Sequence, residues 1–169
     1  MKKLVMSGAL MIASIFASNL TQAQDIVDVA IKSPNHTTLV AAVKAAGLVE
    51  TLKGAGPYTI FAPTNAAFDK LPDGVLADLL KPENKAKLAS ILTYHVIAKK
   101  ITAKEVMEAI KSGKDRAVLT TVNGKKIVAT TKEGKVYITD EQGNTSMVTA
   151  ADLSGSNGVV HVIDTVLMP

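Results

Sequence analysis

Residues 58–68 constrain this chain most, because a strand has to end and a helix has to begin inside them. Thr59, Ile60 and Phe61 favour an extended backbone through β-branched and aromatic side chains, and Pro63 lacks the N–H needed to prolong a ladder. Thr64 then stands where its hydroxyl can accept a hydrogen bond from a free N–H of the following turn. Phe68 is placed to fold back against the incoming strand. The expectation is a strand-to-helix corner closed by an apolar clasp. Such corners occur in many folds, so this one gains meaning only from what accompanies it.

Ahead of the corner the pattern is helical. Asp25 can cap a short helix carrying Ile26, Val29 and Ala30 on one face, and Ser33-Pro34-Asn35 breaks it. A second helix is expected from Thr37 or Thr38 to Ala46, with Leu39, Val43 and Ala46 on one side and Gly47 as its stop. The Gly54-Ala55-Gly56-Pro57 turn feeds the strand. Beyond the corner, Leu76, Leu79 and Leu80 mark one short helix, and Leu88, Ile91 and Leu92 share a face of the next. Tyr94-His95-Val96 reads as a short strand. Thr102-Ala103-Lys104-Glu105 is a reciprocal capping pattern that opens a further helix up to Gly113.

From Arg116 the periodicity changes to short β-rich runs separated by turn clusters. Residues 117–122 and 126–131 flank Asn123-Gly124, a strong hairpin signal, and strands are expected over 135–139, 145–150 and 159–167. Helices first and antiparallel strands second, with one strand embedded among the helices, describe a single α+β domain over residues 24–169 and argue against a parallel α/β sheet. At 169 residues and 47% hydrophobic content the chain can bury one proper core.

Residues 1–23 read separately, as a secretory signal peptide. Lys2 and Lys3 form the basic start, residues 4–17 the apolar run, and Thr21-Gln22-Ala23 the small-residue end. The apolar run is shorter than the ~20 residues that a membrane span requires. Cleavage after Ala23 removes two lysines and no acid, taking the formal charge from +4 to +2. A nearly balanced charge spread along the chain does not favour nucleic acid as the main partner. Cysteine is absent, which excludes disulfides and a cysteine-linked lipid anchor, so a secreted or periplasmic product without stable membrane insertion is expected.

Catalytic chemistry needs convergent titratable groups, and few are offered. Of the three histidines, His36 approaches a helix start and is expected to be solvated or capping. His95, beside Tyr94, is expected either to hydrogen-bond the backbone or to meet a partner. His161 and Asp164 lie three apart on a strand and should face opposite ways. Asp140 and Glu141 belong to a turn and are expected at the solvated surface. No nucleophile elbow, glycine-rich phosphate loop or metal-ligand spacing is present, so no catalytic residue, cofactor or metal is expected.

Three stretches stand together: Thr59-Ile60-Phe61-Ala62-Pro63-Thr64-Asn65-Ala66-Ala67-Phe68, then Tyr94-His95, then Asn157-Gly158-Val159-Val160-His161-Val162-Ile163-Asp164-Thr165-Val166-Leu167-Met168-Pro169. In this order and spacing they resemble the motifs of the fasciclin (FAS1) domain family, single-domain secreted bacterial type. The resemblance implies helices packed on an antiparallel β-sandwich or wedge, used outside cells for adhesion and binding. It implies no enzymatic activity. It also implies partner contact at Tyr94 and His95, flanked by Leu92, Val96 and Ile97. The expected partner is a cell-surface or matrix protein or carbohydrate. The alternative is a carrier of an apolar small molecule, such as a lipid or pigment, with Leu79, Leu88 and Ile91 lining the cleft. Thr64, Asn65 and Phe68 are read as builders of the corner, and Asp164 as a cap or bridge for a nearby turn.

Overall fold

The computed structural model describes residues 24–169, so the expected signal peptide lies outside the described residues. Helix α1 (Ile26–Lys32) is capped by Asp25, whose carboxylate accepts from the Asp28 N–H at 2.8 Å. Helices α2 (Thr37–Ala46) and α3 (Val49–Leu52) follow, and Gly47 closes α2 in the left-handed conformation at φ 70°. Strand β1 (Tyr58–Pro63) stops at the proline, and α4 (Asn65–Asp69), α5 (Val75–Leu79) and α6 (Lys85–Tyr94) succeed it. The two-residue β2 (Val96–Ile97) precedes α7 (Ala103–Ser112), whose Thr102–Glu105 capping box is formed in full.

The remaining strands are β3 (Arg116–Thr120), β4 (Lys126–Lys132), β5 (Lys135–Thr139), β6 (Thr145–Gly155) and β7 (Gly158–Ile163). They join β1 and β2 in one seven-stranded sheet of order β2-β1-β7-β6-β5-β4-β3. The sheet curls towards a barrel-like wedge, because the Val122 N–H beyond β3 donates to the Val96 carbonyl of β2 at 2.7 Å. The fold is α+β as expected. Its pairings are antiparallel except one, where β1, next to the edge strand β2, runs parallel to β7 in register from Tyr58↔Gly158 to Pro63↔Ile163.

That pair explains why both motifs are apolar without polar alternation, apart from the buried Thr59 and His161, since a strand covered on both faces has no solvent side. Ile60, Ala62 and Val160 face the helices, together with Ile26, Leu39, Val43, Leu88 and Ile91. Phe61 and Ile163 face the other way, into a second core with Tyr94, Ile110, Ile127, Ala129, Ile138 and Leu167. Gly158 is required by the same pairing: a Cβ there would lie 2.0 Å from the Tyr58 carbonyl oxygen.

Four local expectations are corrected. Tyr94 and His95 are not strand residues: Tyr94 ends α6, His95 is its C-cap, and only Val96 and Ile97 are extended. The β-branched Thr93 fits the helix because its hydroxyl donates to the Ala89 carbonyl at 2.8 Å. Asn123-Gly124 sits at the tip of a longer loop, since β3 stops at Thr120 and Thr121 turns to bond the Lys125 carbonyl with both its N–H and its hydroxyl. The last strand ends at Ile163, after which the chain drops Leu167 into the core. In compensation β6 is longer than expected, running to Gly155 with two register shifts.

Candidate functional site

The corner is built by two adjacent residues with different reach. Thr64 works locally: its hydroxyl accepts from the Ala67 N–H at 3.2 Å and caps α4, while Phe68 is buried against β1. Asn65 works at a distance. Its Oδ1 accepts from the Thr38 N–H at 3.0 Å and from the Thr37 hydroxyl at 3.2 Å, and its Nδ2 donates to the Pro34 carbonyl at 3.2 Å. Asn65 therefore supplies the side-chain cap of α2, which the helix's own leading residue, His36, does not provide.

His36 is a correction. It is buried rather than solvated, held by Ser33 Oγ at 2.7 Å from Nδ1, and its Nε2 has no hydrogen-bond partner. Burial lowers its pKa.

The five residues expected to meet a partner, Leu92, Tyr94, His95, Val96 and Ile97, are all buried, none more than 5% exposed. Their polar groups are engaged inside the fold. The Tyr94 hydroxyl donates to the Lys126 carbonyl at 2.9 Å and accepts from the Glu141 N–H at 3.1 Å; burial raises its pKa. His95 Nδ1–H donates to the Ile91 carbonyl at 2.8 Å, so Nε2 is the acceptor for the Leu167 N–H at 3.0 Å. Burial drives this imidazole's pKa down to about 4, against smaller opposing contributions from the Ile91 carbonyl and from Asp140, and the ring is neutral near pH 7.

Asp140 is the second correction. It is buried, not solvated, because its carboxylate is the node of the whole turn. Oδ1 accepts from the N–H groups of Gln142 and Asn144 at 3.0 and 2.8 Å, and Oδ2 from Asn144 Nδ2 and the Met168 N–H at 2.9 and 3.0 Å. Glu141 does reach the surface, beside Lys125 at 3.3 Å.

His161 and Asp164 have separate partners, His161 within β7 and Asp164 just past its end. His161 Nε2–H donates to the Ile101 carbonyl at 2.8 Å, and Nδ1 accepts from the Asp152 N–H at 3.2 Å. Asp164 joins the end of β7 to the start of β6 through the Met147 N–H at 2.9 Å and the hydroxyls of Ser146 and Thr165. Burial pushes its carboxyl up, but these donors and Lys70 outweigh it and hold the group below the usual carboxylate range.

Two residues with comparable roles escaped the sequence reading. Thr59 is fully buried, donating to the Lys99 carbonyl and accepting from the Ile101 N–H at 2.8 Å. Asn157 accepts from the Ile26 N–H at 3.0 Å and donates to the carbonyls of Leu52 and Gly54, both at 2.8 Å. A polar residue inside an otherwise apolar strand was the available signal for Thr59, whereas Asn157 stands in a Ser/Gly turn and offered none.

Three hollows among the described residues bear on ligand binding. One, of about 30 Å³, lies inside the helix-side core between α1, α2 and the sheet and is little larger than a water site. Leu79 and Ile91 do border an open hollow of about 250 Å³, with Val75, Lys87 and Met168, whereas Leu88 is in the core. The third, of about 240 Å³, opens between α7 and the sheet and is walled by Phe61, Val106, Met107, Val136 and Val148. It lies where the register of β6 against β7 shifts, and irregularities of this kind bend and twist a strand locally. No helix of the described residues is long and apolar enough to cross a membrane.

Helices packed on a curled seven-stranded sheet with one parallel pair form a fold shared with known proteins. The Fasciclin domain model matches residues 34–169, and the chain belongs to the fasciclin domain family. It is 48% identical to the protein sll1483 of Synechocystis sp. over 147 residues, covering 87% of this chain and 74% of that one. It is 36% identical to the immunogenic protein MPB70 of Mycobacterium bovis over 159 residues, covering 90% and 74%. A transforming growth factor-beta-induced protein ig-h3, from Sus scrofa, is 38% identical over 144 residues, 85% of this chain but 19% of that one. The fold matches the FAS1 domain pair of the insect cell adhesion molecule Fasciclin I, at a TM-score of 0.77 and 19% identity, over 86% of this chain and 51% of that one.

Proposed function

We propose that this chain is an exported, non-enzymatic interaction module that binds a protein or carbohydrate at a cell surface or in the surrounding matrix. The observation that carries this is the family match over residues 34–169, together with a solved relative that is a cell adhesion molecule. The engagement of both ring nitrogens of His95 and of His161 in the fold points the same way, since neither offers a free base. In this reading the segment from Leu92 to Ile97 supports a binding surface from within rather than touching the partner. The test is a pull-down from the native source with the product cleaved after Ala23, its start checked by N-terminal sequencing. A reproducible cell-surface or matrix partner supports the reading, and turnover of a generic hydrolase substrate overturns it.

A second reading, a carrier of an apolar small molecule, is favoured by the hollow of about 240 Å³ beneath α7. It lies on the opposite side of the sheet from Leu79 and Ile91. Mass spectrometry of the protein purified under native conditions should then find a bound apolar ligand, displaced when Ala151, which also lines the hollow, is replaced in Ala151→Phe.

A further inference from the structure

The sheet has one face that neither core uses. Along β3, β4 and β5 the inward positions are Ala117, Ile127, Ala129 and Ile138, all buried. The alternate positions point outward. Strand pairing sets them in two rows: Val118, Val128, Thr139 and Thr145, then Arg116, Thr130, Tyr137 and Met147. Val118 is 54% exposed, and the Thr139 and Thr145 hydroxyls are 3.3 Å apart, which confirms that this row shares one side.

The charge of the face has one sign. Its charged members are Arg116, Lys126, Lys132 and Lys135, all exposed, and none forms an ion pair among the described residues. No acid occupies an outward position on β3, β4 or β5; Glu133 and Glu141 stand in the turns at their ends. Lys132 and Lys135 are direct cross-strand partners, a like-charge pair that works against stability and that an anion between them would relieve. Threonine hydroxyls fill the space between the cations, and the half-buried Tyr137 offers an aromatic surface at the centre.

We infer that this outward face of β3–β6 is the binding surface for an anionic polysaccharide. The inference rests on the interaction-module reading and names its site and partner. Protein interface cores are poor in lysine and rely on desolvated apolar anchors, whereas this face is hydroxyl-rich and rimmed by lysines. A hydrated chain of acidic sugars fits it. Carboxylates or sulfates meet the cations, sugar hydroxyls meet the threonines, and a ring stacks on Tyr137. From Lys126 to Lys132 the platform is about 20 Å long, and it is four strands, or about 14 Å, wide.

The test is calorimetric titration of the whole exported protein with polygalacturonate and with heparin, at low and at high ionic strength, with dextran as the neutral control. Binding to one or both polyanions that fades with salt, and none to dextran, is expected; which polyanion binds more tightly assigns carboxylate or sulfate as the recognised group. Lys132→Glu with Lys135→Glu should weaken binding about tenfold or more, and Tyr137→Ala about threefold, with unchanged melting temperatures. The charge-matched control, Lys81→Glu with Lys87→Glu on the helical side, should change it less than about twofold. Equal loss in the control, no polyanion binding at low salt, or tighter binding of duplex DNA at the same face overturns the assignment. If a native partner is captured equally well by the Lys132/Lys135 variant, the face is wrong while the interaction reading stands.

Discussion

The β1–β7 pair and the β3–β6 face are parts of one sheet with opposite surroundings. Around β1 and β7 both sides are covered, every strand position from Thr59 to Pro63 is buried, and the polar side chains Thr59, His161 and Asn157 bond backbone groups far away in sequence. On β3–β6 one side is core and the other is solvent, with unpaired lysines and threonines. The difference separates two kinds of information. The motif residues that mark the family hold the wedge together, whereas the proposed binding surface lies on strands whose outward positions packing leaves unconstrained.

Truncation in the covered region should do the most damage. Tyr94→Ala opens a cavity in the second core and leaves the Lys126 carbonyl and the Glu141 N–H unpaired, so a loss of about 3–5 kcal/mol is expected in denaturant unfolding. Tyr94→Phe, which keeps the ring, should cost about 1–2 kcal/mol. A Tyr94→Ala protein of normal stability would break the contrast outright.

Acid should come next. His95 in the unfolded chain protonates near 6.5 and in the fold near 4, so between those values the unfolded state holds more protons and stability falls as pH falls. The stability contributed by the neutral ring is complete above about 6.5, and about 3 kcal/mol of it is lost by pH 4. Urea midpoints measured across this range should show the slope, and His95→Gln should flatten it. An unchanged slope in the variant would assign the acid sensitivity elsewhere.

A smaller loss, about 0.5–2 kcal/mol, is expected for Asn65→Ala, and it should appear at α2 as faster amide exchange of Thr38. Thr64→Ala should cost a similar amount but act on α4. If Asn65→Ala leaves Thr38 protected, the cap across elements is wrong. Least of all, Val118→Thr on the open face should shift stability by no more than about 0.5 kcal/mol, read from the same unfolding curves. A large loss there would mean that the face is packed and would erase the comparison.

The local devices were legible before any coordinates. Asp25, Gly47, Thr64 and the Thr102–Glu105 box act within a few residues of themselves, and propensity and spacing report such short-range bonds. Tyr94-His95 misled because the aromatic and β-branched residues around it favour strands, while packing of Leu88, Ile91 and Leu92 carries the helix one turn further. Asp140 and His36 misled because a polar residue in a turn is usually solvated. Here Asp140 is covered by the returning Met168 backbone, and His36 is shut in at the start of α2.

By itself the sequence determined the α+β class, the corner at residues 58–68, most element positions and, through three motifs, the family. Only the tertiary structure decided that β1 and β7 run parallel, that Asn65 caps a helix 27 residues earlier, and that the Tyr94-His95 motif lies inside the fold. The physical reason is range. Propensities, caps and turns are energies between neighbours, whereas burial and strand partnership depend on which distant segments meet when the apolar faces are covered.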